Sequence, residues 1–135
     1  MRFIFLALSL IIGFLLFFTL TVESAEAPIT VLPEVTPCDY YKSIVKQYDW
    51  DFNIATQIMM AESGCKTTAL NDNPATGDYS VGLFQINLYG SNAKYRPSEA
   101  ELKDPKTNIE FAYKLYKSSG FYTQWGVCRH SVDCL

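Results

Sequence analysis

The sequence predicts a small, mainly helical α+β domain with a turn-rich excursion between its helices and two disulfides holding it. Three observations carry this prediction. Apolar residues recur at helical spacing in three separate stretches, and the run from Lys66 to Ser80 is rich in Asn, Asp, Thr, Pro and Gly. Four cysteines, Cys38, Cys65, Cys128 and Cys134, all follow an N-terminal apolar segment.

That segment, MRFIFLALSLIIGFLLFFTLTV, carries a positive charge at Arg2 and none after it until Glu23. Small residues at Ser24, Ala25 and Ala27 suit cleavage of a secretory signal. The apolar run of about 20 residues is also long enough to span a bilayer. Residues 1–27 are therefore a signal peptide or an N-terminal membrane anchor, and both readings stay open. In either case the basic end stays inside and the remainder is exported, so the protein is secreted or held at the outer face of the cytoplasmic membrane.

Export decides how the cysteines are read. An even set in an oxidising compartment forms two disulfides, with three possible connectivities. No CxxC pair exists and His130 is the single histidine, so no metal site and no cofactor is expected. The chain has a formal net charge of −3; without Arg2, Glu23 and Glu26, ten basic and twelve acidic residues leave −2. That balance gives no basic face for nucleic acid. The oligomeric state is not legible; a monomer is the simplest expectation.

Residues 28–37 (PITVLPEVTP) hold three prolines and no useful periodicity, which predicts an extended tether. The domain then covers residues 38–135, small enough for disulfides to matter to stability. Tyr41, Ile44, Val45 and Tyr48 sit at i, i+3, i+4 and i+7, predicting a helix over 39–48 with Asp39 as N-cap. A second helix follows Trp50, capped by Asp51 or Asn53 and stopped at Gly64. Ile54, Ile58 and Ala61 form its predicted buried stripe, widened by Met59 and Met60. Lys66 to Ser80 predicts turns or a short hairpin, and Gly82 to Tyr89 fits either a short helix or an extended segment. Pro97-Ser98-Glu99 begins a short helix to about Lys103. Asp104 and Pro105 look like the N-cap and N1 of a long helix that Gly120 ends, with Ile109, Ala112, Tyr113 and Tyr116 on one face.

Glu62 is the one acid in the apolar second helix, four positions after Ile58 and in the last turn. Partial desolvation and the negative end of the helix dipole both disfavour its carboxylate and push its pKa up. A carboxyl that keeps its proton near neutral pH can donate it to a glycosidic oxygen. An ordinary solvated glutamate beside a helix C-cap would look the same in isolation.

The run IMMAESGC…YSVGLFQIN, followed by DPKTNIEFAYKLY, resembles the lytic transglycosylase (SLT) family of the lysozyme-like superfamily. The matching pieces are Glu62-Ser63, Gly82-Leu83-Phe84-Gln85 and Asp104-Pro105…Asn108-Ile109, in order, and they cover most of Trp50 to Tyr116. The resemblance implies a lysozyme-like fold and a peptidoglycan substrate cut at the MurNAc-GlcNAc bond. It makes Glu62 the acid/base and has Gln85 and its neighbours line the cleft. Ser63, Ser80 and Asn87 would hold the sugar. Members of the family commonly carry an Ala-Tyr-Asn-Ala-Gly-like segment after the last helix. Here that region reads FYTQWGVC, so Tyr122, Trp125, Tyr113 or Tyr116 would have to supply the aromatic group.

The same segment is similar to animal-type lysozymes, which place a second carboxylate two residues before the glycine. Ser80 holds that position here. Hydrolysis through two carboxylates needs an acid on the other side of the bond, and Asp78 or Asp72 in the loop would have to provide it. A transglycosylase needs only Glu62, acting as acid and then as base, and forms 1,6-anhydromuramyl ends. Ser80 favours that chemistry. A non-catalytic peptidoglycan-binding module and a purely structural disulfide domain are the remaining classes; the retained Glu62-Ser63 pair speaks against the first, and the three matching pieces in order speak against the second.

Overall fold

The computed structural model describes residues 35–135. The expected signal or anchor, and the tether apart from Val35, Thr36 and Pro37, lie outside the described residues. Among the described residues no helix is long and apolar enough to cross a membrane.

A 3-10 turn, Pro37–Tyr41, leads directly into α1 (Lys42–Val45). This is shorter than the expected helix over 39–48, and Trp50 supplies the reason. Its indole N–H donates to the Val45 carbonyl at 2.9 Å, the acceptor that Asp49 would need for the helix to continue. The cap also moves. Thr36 is the N-cap, and Asp39 closes a capping box from N3 by accepting the Thr36 N–H at 2.6 Å. The apolar face survives: Val45 is fully buried, while Tyr41, Ile44 and Tyr48 pack against the core.

Helix α2 (Phe52–Ser63) has both predicted ends. Asp51 accepts the Ile54 N–H at 2.9 Å, and Gly64 closes the helix at φ 58°. Its buried residues are Ala55, Ile58 and Met59: the expected Ile58 and Met59 are buried and Ile54 packs partly buried against the core, but the face turns toward Ala55 and away from Met60 and Ala61. Met60 is 42% exposed, and Ala61 faces solvent. Ser63 accounts for this rotation. Its hydroxyl lies one turn on from Met59, bonds the Met59 carbonyl at 3.0 Å and reaches the Leu83 carbonyl at 2.8 Å. Continued by four, the observed stripe ends on Glu62.

The turn-rich stretch is a three-stranded antiparallel sheet in the order β1 (Leu70–Asn73), β2 (Asp78–Val81), β3 (Ile86–Asn87). Leu70 pairs with Val81, Asn73 with Asp78, and Ser80 with both Asn71 and Asn87. Alternation puts Leu70, Asp72, Tyr79, Val81 and Ile86 on one face, where Val81 and Ile86 are buried. The other face carries Asn71, Asn73, Asp78, Ser80 and Asn87.

A 3-10 turn, Gly90–Tyr95, leads to the short α3 (Glu99–Leu102), capped by Ser98. Helix α4 (Pro105–Gln124) starts at Asp104 as expected, and Gly120 breaks it at φ 75° before one further turn. The disulfides pair Cys38 with Cys65 and Cys128 with Cys134, at Cα separations of 5.1 and 5.4 Å. The first ties the start of the domain to the C-cap of α2; the second closes the tail behind a last 3-10 turn, Gly126–Arg129. Two disulfides suit an oxidising, extracytoplasmic setting.

Asn108 holds this arrangement together. Fully buried in α4, it donates to the Val81 carbonyl at 3.0 Å and the Leu102 carbonyl at 2.9 Å, and accepts the Phe84 N–H at 2.9 Å. Replacing it by alanine strands three buried backbone groups, each costing about 1–3 kcal/mol. Asn108→Ala should therefore lose at least about 3 kcal/mol in urea unfolding; a loss below about 1 kcal/mol would show that the amide is dispensable.

Candidate active site

The site is built where the end of α2 meets the tight turn between β2 and β3. Gly82 sits in that turn at φ 77°, and a Cβ there would lie 2.5 Å from the Leu102 carbonyl and collide with the Asn108 amide. Four successive carbonyls of the turn are each taken by a side chain. Asn108 binds that of Val81, Gln85 Nε2 that of Gly82 at 3.0 Å, Ser63 that of Leu83, and the Trp125 indole that of Phe84 at 3.0 Å. The turn is thereby fixed to α2, to α4 and to the tail.

Glu62 is half-buried next to this turn, and among the described residues no hydrogen bond or ion pair engages its carboxyl. Burial raises its pKa, and the negative charge of Asp78 raises it further. Asp78 lies at the start of β2 on the polar face of the sheet. One of its oxygens accepts the Thr76 hydroxyl at 2.7 Å and the other accepts Asn87 Nδ2 at 3.3 Å. Asp72 is on the opposite face, where its charge acts on Tyr79. Register thus separates two acids that are alike in sequence.

The remaining expected residues divide. Ser80, 6% exposed, and Asn87 are cross-strand partners on the polar face with Asp78. The Asn87 side chain also donates to the Gly77 carbonyl at 3.1 Å and accepts the Tyr89 N–H at 2.6 Å, which shapes the end of β3. Gln85, at φ 47°, spends its amide donors on the Ala69 and Gly82 carbonyls, leaving its oxygen unused among the described residues. Ser63 faces the turn rather than open space.

The aromatic residues lie deeper. Trp125 is 4% exposed and its N–H is engaged by Phe84, so it presents almost no surface to a sugar. Tyr113 and Tyr116 pack around Trp50 at centroid distances of 5.5 and 5.9 Å, and Trp50 stacks on Phe84. They form a wall behind the turn. Tyr122 is 46% exposed, and its carbonyl is bonded by Arg129. Asn108 and Trp50 are the positioning residues that periodicity alone did not single out. The available signal for Asn108 was a polar residue in register with buried Ile109 and Ala112.

Residues 46–127 match the family described as "Lysozyme like domain". No curated protein and no solved structure matches the chain.

The raised pKa has a stability consequence of fixed sign. A carboxyl whose pKa is higher folded than unfolded favours the folded state while protonated, and that advantage disappears as pH rises through the folded value. Glu62→Gln cannot ionise. At about pH 3, where the carboxyl is neutral in both states, variant and wild type should melt together; at about pH 8 the variant should melt higher. Equal melting temperatures at both pH values would contradict a desolvated, repelled carboxylate.

Proposed function

The chain belongs to the lysozyme-like domain family, which implies cleavage of peptidoglycan glycosidic bonds, and on that premise we propose that it is a lytic transglycosylase with Glu62 as its single acid/base. The carrying observation is the Glu62 carboxyl: half-buried, raised in pKa, unengaged among the described residues, and close enough to Asp78 to feel its charge, while Ser80, on the same sheet face as Asp78, holds the position where animal-type lysozymes place their second acid.

In this reading Glu62 donates its proton to the oxygen between MurNAc and GlcNAc, and the bond from that oxygen to the muramyl anomeric carbon breaks. The substrate's N-acetyl oxygen stabilises the cation left behind. The Glu62 carboxylate then removes the proton of the muramyl 6-hydroxyl as that oxygen closes onto the anomeric carbon. No water is consumed, the acid is regenerated, and a 1,6-anhydro ring remains. The Ser80 hydroxyl supplies a polar contact for the sugar on the sheet side and the Gln85 oxygen an acceptor at the turn, while Asn87, its amide spent on Gly77, Asp78 and Tyr89, shapes that face.

One observation favours a second reading, hydrolysis. Asp78 shares the face of Ser80 and its charge reaches Glu62, so it could act as a second carboxylate. Its two oxygens are held by Thr76 and Asn87, which suits a fixed charge that keeps Glu62 protonated. The two roles predict different variants. Glu62→Gln should bind peptidoglycan but lose roughly 10²–10⁴ in turnover. Asp78→Asn should keep turnover within about tenfold, and the alkaline limb of its pH profile should move down, because removing the charge lowers the pKa of Glu62. A loss of about 10²-fold or more in Asp78→Asn at every pH would instead assign Asp78 to the chemistry. A wild-type protein that binds peptidoglycan and releases no fragments would be a binding module.

A further inference from the structure

We propose that Arg96, with Lys94 two residues earlier on the adjoining turn, forms a carboxylate-binding site for the peptides carried by the muramyl units of the strand; this rests on the peptidoglycan reading above. The Arg96 guanidinium donates through Nη1 to the backbone carbonyl of Asn87 on β3. The side chain of that same Asn87 lies on the polar sheet face with Asp78 and Ser80. The cation is therefore bonded to the backbone of the strand whose Asn87 side chain belongs to that face.

What sets this guanidinium apart is the lack of a counter-ion. It is partly buried, and that burial depresses its pKa. No ion pair among the described residues includes it. The acids nearest in sequence are engaged elsewhere: Glu99 by Lys103 at 2.5 Å and by the Tyr79 hydroxyl, Glu101 by Ser98 at 2.8 Å. Asp78 is held by Thr76 and Asn87. A partly desolvated cation without a carboxylate is costly in a structure that uses it only to bond one carbonyl. Arginine offers five N–H donors in a planar fork suited to a carboxylate. Lys94 adds a second exposed cation, 4.6 Å from the Tyr95 ring, on the same short turn. Peptidoglycan brings the complementary charge, since the stem peptides on its muramyl units carry carboxylates close to the cleaved bond.

The test compares one glycan preparation in two forms, with its stem peptides intact and after their enzymatic removal. Wild-type kcat/KM should be about tenfold or more higher on the peptide-bearing strands, a factor equal to about 1.4 kcal/mol. Arg96→Gln removes the charge, and its shorter side chain also gives up the Asn87 contact, so the charge is read from the ratio of rates on the two forms. Its rate on peptide-bearing strands should fall to its own rate on bare ones, even where lost support of β3 lowers both. Lys94→Gln, an exposed change, should show a smaller loss in the same direction, and converting the peptide carboxylates to amides should abolish the wild-type preference. Equal wild-type rates on both forms would overturn the inference while leaving the proposed function intact. Equal losses by Arg96→Gln on both forms would reduce Arg96 to a support for β3. No cleavage of either form by the wild type would defeat the proposed function itself, and this inference with it.

Discussion

The Asn108 amide is the contact on which the rest depends. A tight turn buried between a sheet and two helices carries carbonyls and N–H groups that water cannot reach, and each must find a partner inside the protein. Asn108 meets this need at three points, binding the Val81 and Leu102 carbonyls and the Phe84 N–H. Gly82 leaves room for that amide because it has no side chain. Ser63 and Trp125 complete the set from opposite sides. The turn is therefore a rigid hub joining α2, the sheet, α4 and the tail.

Rigidity there sets the chemistry of Glu62. Ser63 is its chain neighbour, so the Ser63–Leu83 bond that fixes the rotation of α2 also fixes where the glutamate emerges. Rotated by one position, the helix would carry Glu62 away from the sheet and lose both the burial and the Asp78 charge that raise its pKa. The same rotation puts Met60 and Ala61 outside. A mostly apolar helix can thus end in a carboxyl whose pKa is raised, because the stripe that packs the core is the stripe that ends on the acid.

Local signals were legible in the sequence and long-range ones were not. The Asp51 and Asp104 caps, the Gly64 stop, the start of α3 near Ser98 and the break at Gly120 all depend on neighbouring residues. Each stands where the chain order placed it. The length of the first helix was misjudged because Trp50, which removes the Val45 carbonyl, acts through a packed side chain rather than a backbone signal. Ile58 and Met59 of α2 are buried as expected but Met60 and Ala61 are not, because periodicity gives the spacing of a face but not its absolute rotation. Asp72 and Asp78 could not be told apart until strand pairing put them on opposite faces. Trp125, expected to meet substrate, lies inside for a similar reason: its partner, the Phe84 carbonyl, is far away in sequence.

The proposed transglycosylase reading requires one glutamate working without a second carboxylate or a water molecule. The most direct measurement is the mass of the muramyl ends released when the purified protein digests peptidoglycan, with the same digest repeated in ¹⁸O-labelled water. Ends lighter by one water than ordinary reducing ends, with no heavy oxygen incorporated, are the predicted result. Reducing ends carrying ¹⁸O would contradict it and make the protein a hydrolase.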